Sequence, residues 1–379
     1  MAPPENPGRC AGGGDHFAGL PRQPAASRGC RGERLPVKRF AAFVFILVLV
    51  GAAAGAWLYI GVSRPYKGYE AAEQFVDIPA GAGPSSIGRR LADAGVVRDV
   101  NSFRFAVWLS RQGRRLQAGE YRFDRPVSAR EVVDKIARGE VYVLPITFRE
   151  GLTIKQMASL FESRGFGPAD AFVRASKNVD LVRALDPEAQ DLEGYLFPET
   201  YSLPRKATAD QLVARMVSAF EKALTPDIRD QASARGIGLR QLVTLASIVE
   251  KETGSPAERP LVAAVYANRL RIGMGLQCDP TVIYALDRVG RYHGNLTRED
   301  LHFDSPYNTY RYSGLPPGPI ASPGRASLAA AAAPADVPYI YFVSRNDGSH
   351  AFATTLDEHN RNVQQYQRQY FIDRRREAQ

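Results

Sequence analysis

The apolar and polar positions of this chain fall into three regimes. Residues 40–62 carry no charged side chain, a run long enough to cross a hydrocarbon core of about 30 Å as a helix. From about residue 70 the pattern breaks into short strand-like segments and helix-length stripes. Two segments seventy residues apart share one order. Ile78-Pro79-Ala80-Gly81 leads into Ile87, Leu91 and Gly95-Val96, and Phe148-Arg149-Glu150-Gly151 leads into Met157, Phe161 and Gly165-Phe166. Each predicts a strand, a glycine turn and a helix closed by glycine. Second helices follow at 100–112 and 168–175, with a strand at 119–123, a helix at 128–137 and a strand at 141–148. The third regime, from about 146 to 365, is richer in aromatic residues and Pro-Gly clusters. Helices are predicted there at 210–224, 239–253, 257–271 and 281–286, and strands at 196–201 and 339–344. This mixture predicts an α+β fold.

One stripe ends in chemistry. At about 100° per residue, Leu239, Leu242, Val243, Ala246 and Val249 share a helix face, and Glu250 lies on that face. A carboxyl among aliphatic side chains loses hydration, which disfavours its charged form and raises its pKa. That prepares a general acid for work near neutral pH. Glu252, beside Leu245 at the border of the stripe, is the rival. The ordinary alternative for both is the solvated edge of an amphipathic helix.

Charge orients the apolar run. Residues 1–39 hold seven Lys or Arg against Glu5, Asp15 and Glu33, and positive charge beside a first span stays in the cytoplasm. Trp57 and Tyr59 fall where an aromatic belt meets the opposite interface. The expected organisation is a cytoplasmic disordered tail at 1–39, a transmembrane helix at 40–62, a membrane-proximal region at 63–145 and a catalytic domain at 146–379. Ala54-Gly55-Ala56 offers a cleavage-site alternative; the long tail and the length of the run favour a retained anchor. Cys10 and Cys30 lie in the tail and Cys278 is alone beyond the span, so no intramolecular disulfide is expected outside. The net charge of +9 belongs partly to the tail. The rest is spread out and ends in Arg374-Arg375-Arg376, which suits an anionic wall or membrane surface; it forms no stripe for nucleic acid.

Several strings combine aromatic rings with amides and hydroxyls: Leu192-Glu193-Gly194-Tyr195-Leu196-Phe197-Pro198-Glu199, Asn268-Arg269-Leu270, Leu276-Gln277, Asp279-Pro280-Thr281, Ser305-Pro306-Tyr307-Asn308-Thr309-Tyr310 and Leu315-Pro316-Pro317-Gly318. Such groups suit a sugar groove, rings stacking on pyranose faces and polar groups meeting hydroxyls. With Ser247-Ile248-Val249-Glu250-Lys251-Glu252, Tyr341-Phe342-Val343, His350 and His359-Asn360, the chain closely resembles the MltG (YceG-like) endolytic murein transglycosylases, most strongly over residues 192–362. The membrane-proximal strand–helix–helix–strand order also resembles LysM-like modules. One departure is Ser322, where many relatives carry Asn before Pro-Gly.

The resemblance implies an α+β protein with one N-terminal transmembrane helix, a LysM-like unit and a mixed α+β catalytic domain. It implies anchoring in the inner membrane with the catalytic domain periplasmic, and cleavage of nascent peptidoglycan glycan strands without a cofactor. A peptidoglycan synthase on the same new strand is the implied partner. The implied catalytic residue is Glu250, acting first as acid toward the bond between N-acetylmuramic acid and N-acetylglucosamine, then as base toward the muramic acid C6 hydroxyl. A 1,6-anhydro end results. Because the substrate supplies its own nucleophile, one carboxyl suffices on this reading. Tyr307, Asn308, Thr309 and Gln277 are candidates for contacting the sugars, and Glu193 and Glu199 for orienting sugars or the loop around Pro198. Two readings compete. A metal-dependent wall peptidase would use His293, His302, His350 and His359, whose spacing fits no zinc helix; a non-enzymatic scaffold would hold glycan through the LysM-like unit.

Overall fold

In the computed structural model, residues 37–370 and 372 are described. The tail with Cys10 and Cys30, and Arg374-Arg375-Arg376, lie outside the described residues. The chain divides after Arg64. The first unit is helix α1 (Val37–Ser63). Its stretch Phe40–Ser63 is, among the described residues, the one helix long and apolar enough to cross a membrane, and Phe43, Leu47, Trp57 and Tyr59 are exposed along it.

The second unit begins with the sequence-predicted order. Strand β1 (Gln74–Ile78) is followed by helices α2 (Pro84–Asp93) and α3 (Val100–Ser110) and by strand β2 (Gly119–Phe123). β1 and β2 pair antiparallel, with Val76 opposite Tyr121. Their inward residues Val76, Ile78, Tyr121 and Phe123 are buried, as are Ile87, Leu91 and Phe103 of the two helices. Helix α4 (Ala129–Arg138) starts on a reciprocal capping box between Ser128 and Glu131, which satisfies two otherwise orphan backbone donors.

The same order then recurs. Strand β3 (Leu144–Thr147), a glycine turn, and helices α5 (Ile154–Ser163) and α6 (Ala169–Ala175) lead to strand β4 (Thr200–Leu203), which pairs antiparallel with β3. The strand expected at 196–201 forms only at 200–203. Residues 196–199 instead continue an irregular segment from 192, with Leu192, Tyr195 and Leu196 in the core, and Pro198 brings no N–H for a ladder. Arg205, just past β4, pairs with Glu120 of β2 at 2.9 Å and lies over the Phe75 ring at 4.0 Å. These contacts fasten the two strand–helix–helix–strand units together.

A helical layer completes the unit: α7 (Ala209–Ala223), α8 (Pro226–Ala234), α9 (Leu239–Glu252), α10 (Arg259–Arg271), α11 (Asp279–Arg288) and α12 (Arg325–Ala332). A hairpin of β5 (Tyr341–Ser344) and β6 (His350–Ala353) and helix α13 (Leu356–Val363) close it. The sequence reading omitted α8, although Thr225 and Pro226 form a cap and a first-turn proline there. It also omitted α12, β6 and α13. The central element is α9. Eight consecutive residues, 242–249, are buried, whereas a one-sided stripe would bury about half. Helices α10, α11 and α12 enclose it.

An ion pair on a buried carboxylate ties α9 to Asp186 and, through Tyr195, to the irregular segment. Arg240 donates through Nε and Nη2 to both oxygens of Asp186 at 3.0–3.2 Å, and the Tyr195 hydroxyl donates to the same carboxylate. The Asp186 side chain is 4% exposed. Removing one member leaves a buried charge unpaired. Arg240→Met is therefore expected to lower the unfolding free energy by about 3–5 kcal/mol, read from urea denaturation. A loss within ~1 kcal/mol, the value of a surface pair, would contradict this account.

Candidate active site

Enclosure of α9 changes the environment expected for Glu250. Its side chain is 6% exposed, and its carboxylate is met by three donors. Arg259 Nη2 of α10 meets Oε1 at 3.1 Å. The Gly324 backbone N–H and the Ser327 hydroxyl donate to Oε2 at 3.0 and 2.8 Å. Gly324 is the N-cap of α12 and Ser327 lies in its first turn, so the carboxylate sits at the positive end of that helix.

A second carboxylate stands beside it, which corrects the expectation of a lone carboxyl. Glu150 Oε2 lies 3.5 Å from the same Arg259 nitrogen, and its side chain is 46% exposed. Glu150 occupies the turn after β3. Gly151 has φ of +75° there, a left-handed conformation that favours glycine. The turn is pinned to the loop before α12: Gly151 N–H donates to the Ser322 carbonyl at 2.8 Å and Ser322 N–H to the Leu152 carbonyl at 2.9 Å. A β-carbon at Gly324 would overlap the Glu150 carboxylate, the flexible end of a half-exposed side chain, and would make it swing aside. Ser322, the departure noted in the sequence, is fully buried at this junction. Burial, then the charge of Glu250, push the Glu150 carboxyl up, with Arg259 opposing.

Glu252 leaves α9 on another side. It accepts from the Tyr266 hydroxyl and the Cys278 thiol, each at 2.9 Å, and burial raises its carboxyl above the ordinary range. Next to Cys278, Gln277 is exposed and held at a left-handed φ of +49°. Its N–H donates to the Thr309 carbonyl at 3.2 Å. Thr309 is buried, its hydroxyl accepting from Cys278 N–H and bonding Thr281. Asn308 is buried too, with its amide donating to the Leu301 and Phe303 carbonyls and accepting from Tyr310 N–H. The Asn308 side chain is thus spent on its own loop and the Thr309 hydroxyl on the start of α11.

Tyr307 is half-buried. Its ring centroid is 5.0 Å from that of Tyr284 and 5.3 Å from the Arg288 guanidinium. Glu193 lies close by, buried, accepting from Ile154 N–H at the start of α5 and from the Tyr284 hydroxyl. Glu199 is exposed and contributes its carbonyl to Phe148 N–H. The structure thus brings Tyr307 and Glu193 together, and Gln277 and Thr309 together. His350 pairs with Glu258 at 2.7 Å and His359 stacks on Tyr341. A groove of about 640 Å³, lined by Arg235, Arg240, Thr244, Leu245 and Leu315, runs along α9. Glu250 is not among its lining residues.

Burial, then the charge of Asp191, push the Glu193 carboxyl up to about 8, against the Ile154 and Tyr284 hydrogen bonds. The folded chain then keeps a proton that the unfolded chain releases. The stability from this group is full below its ordinary value of 4.5 and is lost as pH rises toward about 8. Wild-type Tm is expected to fall relative to that of Glu193→Gln across this window, and parallel Tm curves for the two would contradict the assignment.

Residues 76–365 match the profile of the YceG-like family. The chain is 30% identical over 307 residues to a protein named endolytic murein transglycosylase from Bacillus subtilis (strain 168), covering 77% of this chain and 84% of that protein. A protein of the same name from Streptococcus pneumoniae is 29% identical over 321 residues, but the chain spans only 58% of its length. Among solved structures, a YceG-like protein of Listeria monocytogenes superposes with a TM-score of 0.53 at 31% identity, covering 76% of this chain and 98% of that one.

Proposed function

Since the chain belongs to the YceG-like family, we propose that it is an endolytic peptidoglycan lytic transglycosylase. It cleaves the bond between N-acetylmuramic acid and N-acetylglucosamine in nascent glycan strands and leaves 1,6-anhydro ends, so ending or trimming strand growth. The observation that carries this reading is the Glu250 carboxylate, fixed by Arg259, Gly324 and Ser327 within the matched region. Held by three donors, it is oriented to take the proton of the muramic acid C6 hydroxyl while that oxygen closes on C1. The departing oxygen receives a proton from a carboxyl of the same site, as general acid–base cleavage requires.

Gln277 and Tyr307 keep exposed surface and contact the sugars. Asn308 and Thr309 act from beneath by holding the loop that carries Tyr307, and Glu193 and Glu199 orient the adjoining segments. Residues 40–62 anchor the chain in the inner membrane with residues 1–39 cytoplasmic and the rest periplasmic. Residues 63–145 form a LysM-like unit that engages glycan ahead of the catalytic domain at 146–379; its strand–helix–helix–strand order supports this. A peptidoglycan synthase working on the same strand is the partner. The test is mass spectrometry of fragments released from purified un-cross-linked strands. Wild type yields anhydro ends; Glu250→Gln lowers turnover by about 10²–10⁴-fold while folding and strand binding persist. Reducing ends, or wild-type turnover by Glu250→Gln, would overturn the proposal.

A further inference from the structure

We infer that Glu150 is a second catalytic residue of this site, the acid that protonates the departing oxygen, with Glu250 as the base. This rests on the proposed lytic reaction and divides its two proton transfers between two carboxyls.

Geometry motivates the division. Oxygens of Glu150 and Glu250 lie within 3.5 Å of one nitrogen, Arg259 Nη2. One guanidinium between two carboxylates leaves a negative excess, so one carboxyl retains a proton more readily than the other. The partners choose which. Glu250 is engaged by Arg259, Gly324 and Ser327 and is 6% exposed, whereas Glu150 has Arg259 alone at the longer distance and is 46% exposed. Around Glu150 the charged groups are Glu250 and Lys251 of α9, Arg259 of α10 and its neighbour Arg149. The Lys251 ammonium keeps its charge and donates to the Gly151 carbonyl at 3.2 Å, while the charges that act on the Glu150 carboxyl are those of Glu250 and Arg259; residues 321–324 bring no titratable side chain. The upward push on the Glu150 carboxyl agrees with the geometry. Arg259 Nε is buried without a partner among the described residues.

The step balances. The Glu150 carboxyl gives its proton to the N-acetylglucosamine oxygen as the bond from that oxygen to muramic acid C1 breaks. The C6 oxygen bonds to C1 and its proton passes to Glu250. After release, the proton returns from Glu250 to Glu150 across the shared site, with no external acid or oxidant.

The test uses the full chain on un-cross-linked strands and on a muramyl glycoside with 4-nitrophenol as leaving group, which needs little protonation. Glu150→Gln is expected to lose about 10²–10⁴-fold in kcat on strands with KM unchanged, and to lose the alkaline fall of the wild-type pH profile. It should cleave the nitrophenyl substrate at close to the wild-type rate, while Glu250→Gln cleaves neither. Wild-type kcat and pH profile in Glu150→Gln beside an inactive Glu250→Gln would overturn the role of Glu150 and leave that of Glu250. Equal losses on both substrates would make Glu150 structural and overturn the inference. An active Glu250→Gln would overturn the reading of the site as a whole.

Discussion

The guanidinium of Arg259 joins parts of the chain that sequence keeps far apart. One nitrogen reaches the turn after β3 and the end of α9, and through Glu250 it is linked to the start of α12. Charged groups this enclosed persist only when each has a counter-charge and hydrogen bonds. Arg259 with the α12 N-terminus supplies both to Glu250, and the paired backbone of Gly151 and Ser322 holds Glu150 alongside. The site is thus a meeting of three segments, each positioned by its own local rule: a left-handed turn, an enclosed helix and a helix cap.

How much of this could be read from the residues differs by element. The strand–turn–helix–helix order and its recurrence were legible, because glycine turns and apolar periods are local signals; β2 and the start of α9 fall on the expected residues. Glu250 was legible as a carboxyl turned inward. Its surroundings were not, since periodicity reports which way a position points and not what waits there. Glu150 stands one hundred positions before Glu250, so nothing in the α9 segment announces it. The available signals were its place before Gly151 in the second of two similar turns, and the glycine of Ser322-Pro323-Gly324.

The aromatic and polar strings teach a complementary lesson. Asn308 and Thr309 have the chemistry of sugar ligands, yet the Asn308 amide is consumed by a loop that lacks regular backbone pairing and the Thr309 hydroxyl by the start of α11. An irregular buried segment must satisfy its amides and carbonyls somehow, and side-chain amides and hydroxyls are the local means. Composition alone does not separate a residue that supports a loop from one that reaches a ligand. Exposure does, and it favours Gln277 and Tyr307. Similarly, residues 196–199 at the head of the expected strand belong to an irregular buried segment that packs against α7, where Tyr195 meets Phe220 edge-on.

The enclosure of residues 242–249 has one further consequence. Proteins open piecemeal, with frayed ends and loose loops exchanging amide hydrogens long before their centres do. A helical stretch buried over two turns has no cheap partial opening, so its backbone is released only when the whole domain gives way. The backbone that leads up to Glu250 is therefore held by global rather than local stability. As temperature rises, such a site keeps its alignment until the cooperative transition and then loses it at once, without an intermediate range of gradually blurred geometry.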